Sequence, residues 1–335
     1  MDINNSNASY YRIPASYMDR NYSSVTNNCT DLVDKLKRYY LTVMYSLIFI
    51  LGVVGNISAL LIYFFKVRPW KNTTITMIHI AMTDFLYLMS LPFFVKYYSN
   101  SDFWTLGDFM CKLVRFIFHL NMYGTIHLLM FVSIFRCIAV VYPLKAPDLQ
   151  KKRWGLLVIF TSWITTGALI TPMLNMFSIQ TTNNTISCLD FASLDPQKIQ
   201  VYNFILTGLG FFIPLLIVLI CYIIIVMKLA ERPEMPNFRK VKARRFVVLI
   251  LVVFIICFLP YHVLRIIRIS TNYPSYRSCV TNTVQAVYII TRTVEGMNTI
   301  FDLLLYTAAG EEFKKAFIST AASVWHCCKK HLTRF

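Results

Sequence analysis

Apolar residues in this chain fall into long blocks separated by short polar stretches. Seven blocks stand out, covering roughly residues 40–65, 75–98, 109–142, 154–175, 200–228, 244–270 and 281–308. Each supplies the ~20 residues that a helix needs to cross a bilayer. The pattern predicts an all-α membrane protein, a seven-transmembrane helix bundle. Pro92, Pro172, Pro214 and Pro260 lie inside blocks. Neighbouring helices in a bundle re-satisfy the freed carbonyls, so these prolines read as kinks. No internal repeat and no low-complexity tract is visible.

The connections alternate in charge. Basic residues gather in one set: Lys66, Arg68 and Lys71; Lys145, Lys151, Lys152 and Arg153; Lys228 to Arg245; and Lys314 to Arg334. The positive-inside rule makes that set cytoplasmic. Lys35, Lys37 and Arg38 flank the outer end of the first span and leave its direction undecided by itself. The later loops decide it, and the N-terminus is expected outside. Residues 1–39 form a polar tail with no apolar run before Tyr40, so the first span is expected to act as its own insertion signal. The tail carries Asn-x-Ser/Thr sequons at Asn4, Asn7, Asn21 and Asn28, and another lies at Asn183. The expected division is an extracellular glycosylated tail (1–39), a seven-transmembrane bundle (40–309), and an amphipathic helix with a cytoplasmic tail (310–335). Phe313 and Phe317 share one face of that helix. Glu311 and Glu312 open it and Lys314 and Lys315 follow, as the helix dipole favours, so it is expected to lie on the membrane surface. Cys327 and Cys328, beside Lys329 and Lys330, read as lipid-anchored thiols or as idle ones.

Composition narrows the class. Apolar residues make up 56% of the chain and charged ones only 15%, against about half and a quarter in soluble domains. Net charge is +17, yet it sits between apolar blocks and at their ends, which excludes nucleic acid as the partner and leaves membrane lipids. No cofactor is expected. A retinal pump needs a lysine in the last span, and 281–308 has none. An anion transporter tends to show internal repeats. An enzyme needs a nucleophile–base or metal set, and His119 and His262 stand without acid or cysteine at such spacing.

The third block, Phe109 to Tyr142, is the most polar, carrying Cys111, Arg115, His119, Asn121, Tyr123, Thr125 and Arg136. It must face protein rather than hydrocarbon. A central arginine costs about 2.5–3.5 kcal/mol on insertion scales, so Arg115, Arg265 and Arg292 are expected to share an interior cavity. Arg115 and His119 are one turn apart, as are His262 and Arg265, with Arg268 continuing that row. Tyr288 and Arg292 share a face of the last span, and Lys96 lies near the outer end of the second. Guanidinium forks bind carboxylate or phosphate, so these residues with Tyr123 and Asp190 form a candidate pocket for a small extracellular anion. The alternative is internal pairing of the arginines with Glu295 or Asp190. Deeper lie Asn56, Asp84, Asn121, Thr125, Asn298 and Asp302. Buried carboxylates need partners, which suggests a sodium ion or a shared proton in a water network. At the inner end, Arg136 with Tyr222 and Tyr306 reads as a switch between helices or as a snorkelling arginine. Of the outer cysteines, Cys111 can pair with Cys188 and Cys29 with Cys279. An oxidising face permits both bridges, while spacing alone does not choose the connectivity.

Jointly these marks resemble the rhodopsin-like G-protein-coupled receptors from Tyr40 to Phe317. The resemblance rests on Gly55-Asn56, Ala81-Met82-Thr83-Asp84, Trp104, Cys111, Arg136, Trp163, Cys188, Pro214, Tyr222, Cys257-Phe258-Leu259-Pro260 and Asp302 to Tyr306. His262-Val263-Leu264-Arg265, Arg292 and the four outer cysteines are similar to the nucleotide and small-carboxylate receptor branch. Lys66-Val67-Arg68-Pro69-Trp70-Lys71, Phe135-Arg136 and Arg265-Ile266-Ile267-Arg268-Ile269 resemble its dicarboxylate receptors. The resemblance implies a dicarboxylate ligand such as 2-oxoglutarate, with succinate, a nucleotide, a leukotriene or a lysophospholipid as alternatives. It also implies a heterotrimeric G protein as partner, with Pro260 as the pivot of span six. The chain departs from the family at His79 (usually Asn), Cys137 (usually Tyr), Leu303 (usually Pro) and Thr293 (Pro in close relatives), and Glu295 adds an acid one turn below Arg292.

Overall fold

In hydrocarbon, backbone polar groups must be satisfied within the segment, so long apolar blocks become helices. The computed structural model describes residues 30–182, 185–190, 196–231, 236–271 and 278–332. Among them six helices are long and apolar enough to cross a membrane: α1 (Thr30–Phe65), α2 (Asn72–Ser99), α3 (Gly107–Val141), α4 (Lys152–Asn175), α5 (Gln197–Ala230) and α6 (Arg244–Thr271). The seventh block forms α7, whose segments Ser278–Gly296 and Asn298–Ala309 meet at a turn on Met297. α8 (Glu311–Leu332) follows.

The prolines act in different ways. α2 runs through Pro92. Before Pro214 and Pro260 the helices widen to i→i+5 hydrogen bonding, at Gly208–Phe212 and Phe254–Phe258. The wider turn makes room for a ring that would strike the carbonyl four residues back. Pro172 corrects the expectation of a kink. The helix tightens to i→i+3 bonding over Thr171–Asn175 and stops there.

α3 is the hub, packed against α2, α4 and α5. Its N-terminus is pinned at one end of the bundle. Gly107 has φ +76°, a conformation that favours glycine, and its carbonyl accepts from the Trp104 indole at 2.8 Å. Between α4 and α5 lies an antiparallel hairpin, β1 (Phe177–Thr182) and β2 (Thr185–Asp190), in the register Ile179 to Cys188. The Cys111–Cys188 disulfide ties it to α3. The backbone N–H of Trp104 adds a bond to the Ile186 carbonyl at 2.7 Å. Cys279 is disulfide-bonded, and Cys29, its expected partner, lies outside the described residues. So do Asn4, Asn7, Asn21, Asn28 and Asn183.

At the opposite end α8 docks on the bundle. Phe313 is buried against Tyr63 (4.7 Å between ring centroids) and Tyr306 (6.1 Å). Lys66 donates to Thr320 at 2.9 Å. In the α3–α4 connection Asp148 meets Lys151, Trp154 and Arg153, and those contacts hold its carboxyl down at about 2.

Candidate ligand-binding site

Near the hairpin end, the arginines of α3, α6 and α7 all turn inward. Arg115, Arg265 and Arg292 are 3%, 1% and 6% exposed. They form two groups rather than one ring. Arg115 donates to the Cys188 carbonyl at 2.8 Å, and Arg292 donates to the Tyr98 hydroxyl at 3.1 Å. Both guanidinium groups lie over the Phe94 ring, at 5.2 and 5.5 Å. Arg292 also lies 5.0 Å from the Phe118 ring. Cation–π contact offsets part of the cost of burying two like charges around one ring.

Arg265 belongs to a second group. It donates to the Tyr123 hydroxyl at 3.0 Å. His119 stacks on Tyr123 and packs against Phe177 of β1, and its Nδ1–H donates to the Arg115 carbonyl at 2.8 Å. His262 is fully buried, stacked 4.4 Å from Phe211. Neither of its ring nitrogens has a hydrogen-bond partner among the described residues. Tyr288 donates to the Tyr261 hydroxyl at 3.3 Å. Arg268 bonds Gln285 and lies 4.7 Å from the Tyr288 ring. Phe118 joins the two groups, 5.0 Å from His119 and 6.1 Å from Tyr261.

Two expected members stand apart. Lys96 is exposed on α2, because Phe94 and Tyr98, one turn apart on the same helix, take the inward face. The side chain of Asp190 lies outside the described residues. Glu295 is buried at 1% exposure, and its Oε2 has no hydrogen-bond partner among the described residues. Phe94, Tyr98 and Phe118 were not singled out from the sequence. The only signal was aromatic spacing inside apolar blocks.

A second polar group lies deeper. Asp84 accepts from Asn121 at 2.8 Å, and the Tyr306 hydroxyl lies within bonding reach of Asp84 (3.1 Å) and Asn56 (3.2 Å). Asp302 sits beside Asp84. Neither of its oxygens meets a donor among the described residues. The same holds for the Asn298 amide and the Thr125 hydroxyl as bonding groups, all fully buried. Two adjacent carboxylates with orphaned oxygens nearby fit a hard cation or a shared proton. No group of three or more His, Cys, Asp or Glu placed to hold a metal ion occurs among the described residues.

At the basic end Arg136 lies 4.8 Å from the Phe246 ring of α6. It lines a cavity of about 530 Å³ with Phe135, Arg68, Lys71, Glu311 and Glu312. Tyr222 is half-buried on α5. The Tyr306 hydroxyl bonds Asp84 and Asn56.

The fold and these buried polar groups define a class, a helical membrane receptor. The family described as "7 transmembrane receptor (rhodopsin family)" matches residues 55–306. The chain belongs to that family. It is 41% identical over 308 residues to mouse 2-oxoglutarate receptor 1, covering 91% of each chain. It is 34% identical over 297 residues to a chicken purinoceptor, covering 87% of this chain and 82% of that one. Identity to mouse succinate receptor 1 is 30% over 288 residues, covering 85% and 90%. It is a multi-pass membrane protein of the receptor type.

Proposed function

We propose that the protein is a plasma-membrane receptor, not an enzyme, with its N-terminus outside, that binds a short extracellular dicarboxylate and activates a heterotrimeric G protein. One observation carries the reading. Arg115 and Arg292 are buried around one aromatic ring, an arrangement that a dianion would neutralise. The name of the mouse 2-oxoglutarate relative makes 2-oxoglutarate the first ligand to try. Arg265 with Tyr123 and His119 forms the deeper wall, and Tyr288 and Arg268 the side towards α7.

The dianion draws the hairpin ends of α3 and α7 together. α6 pivots at Pro260, and its basic end moves from Arg136 to admit the G protein. A ligand shifts this equilibrium only by its differential affinity for the two states. A charge-assisted bond contributes about 1.5–3 kcal/mol, so each fork can supply tenfold or more. Sodium, or a proton shared by Asp84 and Asp302, favours the resting arrangement.

The test is a G-protein activation assay in cells, with 2-oxoglutarate, succinate, other dicarboxylates, nucleotides and leukotrienes. Expected is a response to a dicarboxylate that weakens at least about tenfold in Arg115→Ala and in Arg292→Ala at equal surface expression. Glu295→Gln removes a competing negative charge near Arg292 and should raise potency for the dianion. A response restricted to a nucleotide or lipid, or undiminished potency in Arg292→Ala, would overturn the reading.

A further inference from the structure

Lys35, Lys37 and Arg38 run against the positive-inside pattern of the rest of the chain. All three line a cavity of about 400 Å³ between the start of α1 and the α2–α3 turn, a size that suits a small-molecule cleft. Tyr98 of α2 lines it too. The Tyr98 hydroxyl accepts from Arg292 at 3.1 Å, which leaves its own proton to donate. One side chain thus separates this cavity from the arginine site. Two local features shape the cavity. α1 widens to i→i+5 bonding over Leu36–Leu41. Unlike the wide turns before Pro214 and Pro260, this one has no proline to accommodate, and such turns recur at functional sites. Facing it, Ser101 and Asp102 take left-handed backbone, with φ 57° and 62°, which is uncommon for residues other than glycine. That turn brings Asp102 within 2.7 Å of the Lys37 ammonium. The Asp102 carbonyl accepts from Ser187 of β2 at 3.2 Å, so the turn is also tied to the hairpin.

We propose that this cavity is an outer anion site, in which Lys37, Arg38 and the Tyr98 hydroxyl take a short dicarboxylate from solution and pass it along Tyr98 to Arg292. Acids share the cavity, but two of them are already engaged. Asp31 holds Lys35 at 2.6 Å, and Asp102 holds Lys37. An ammonium group has three N–H donors. Lys37 gives one to Asp102 and keeps two for a ligand, and the ion pair holds it at the cavity instead of in open water. Arg38 adds a guanidinium fork, which suits a carboxylate. Asp34 is exposed, so solvent screens its repulsion. Clustered cations at a cleft mouth concentrate an anion and speed its entry. A dianion has two ends. One carboxylate stays on Lys37 or Arg38 while the other exchanges with the Tyr98 hydroxyl at Arg292. The passage to Arg292 rests on the receptor reading above. An anion site at Lys37 does not.

The experiment uses the full-length purified protein and an amine-acetylating reagent, read by mass spectrometry. It is run on the double variant Arg115→Ala/Arg292→Ala, which lacks the arginine site, and on Arg292→Ala alone in case the double variant does not fold. Saturating 2-oxoglutarate should slow acetylation of Lys37 at least about threefold relative to chloride of equal ionic strength. Lys151, in the α3–α4 connection at the opposite end, should react at an unchanged rate. In a second arm, association of isotope-labelled 2-oxoglutarate with the receptor should slow at least about tenfold in Lys37→Gln/Arg38→Gln and lose most of its salt dependence. Protection of Lys37 in the double variant supports the outer site even where potency at the arginines fails its own test. No protection of Lys37 would overturn the outer site, whatever the arginine site binds. Protection with unchanged association in Lys37→Gln/Arg38→Gln would overturn the passage to Arg292.

Discussion

Tyr123 owes its position to a glycine. A β-carbon at Gly210 would come within 2.6 Å of the Tyr123 ring, and Tyr123 holds the Arg265 guanidinium. In Gly210→Ala the ring must move and take its hydroxyl from Arg265. Overpacking of this kind costs about 1–3 kcal/mol. The expected outcome is a lower melting temperature in detergent together with weaker dicarboxylate potency, measured on the same preparation. The inward arginines were legible in the sequence, because three charges inside apolar blocks have few other places to face. Their aromatic company was not. Phe94, Tyr98 and Phe118 look like any other apolar position until Arg115 and Arg292 are seen around them. Lys96 misled for the same reason. Depth along a helix can be counted from the sequence, but the direction a residue faces depends on which neighbours take the inner side.

Helices and loops repeat that lesson at a larger scale. The seven spans follow directly from block length, since hydrocarbon leaves the backbone no other choice. The effect of each proline does not, because it depends on whether the preceding turn can widen, as before Pro214 and Pro260, or the helix stops, as at Pro172. The hairpin that covers Arg115 carries little apolar pattern of its own and is fixed by Cys188. The α3–α4 connection makes a separate prediction. Asp148 has its carboxyl held down at about 2 by Lys151, Trp154 and Arg153. A depressed folded-state value means that its contribution is present above the ordinary value of 3.8 and is lost as pH falls from there to about 2. Hydrogen exchange in 146–153 should accelerate across that window in the wild type. Asp148→Asn should exchange faster at neutral pH and show no further acid step from this residue.

For the whole molecule, two polar groups and a basic end lie along one interior. Asp84 and Asp302 are both fully buried, and Tyr306 reaches from the end nearest α8 into their network. If sodium holds this arrangement, raising sodium should lower dicarboxylate potency in the wild type. Asp84→Asn should flatten that dependence, read as potency against sodium at constant ionic strength. The sequence showed that these acids lie at similar depth. It did not show that the Tyr306 hydroxyl would bond Asp84 and Asn56, because hydroxyl direction depends on helix packing.

The most direct test of the central claim is equilibrium binding of isotope-labelled 2-oxoglutarate to the purified, folded receptor. The account predicts saturable binding that weakens at least about tenfold in Arg115→Ala and in Arg292→Ala and strengthens in Glu295→Gln. Unchanged affinity in a folded Arg292→Ala protein, or no binding in wild type and Glu295→Gln alike, would contradict it.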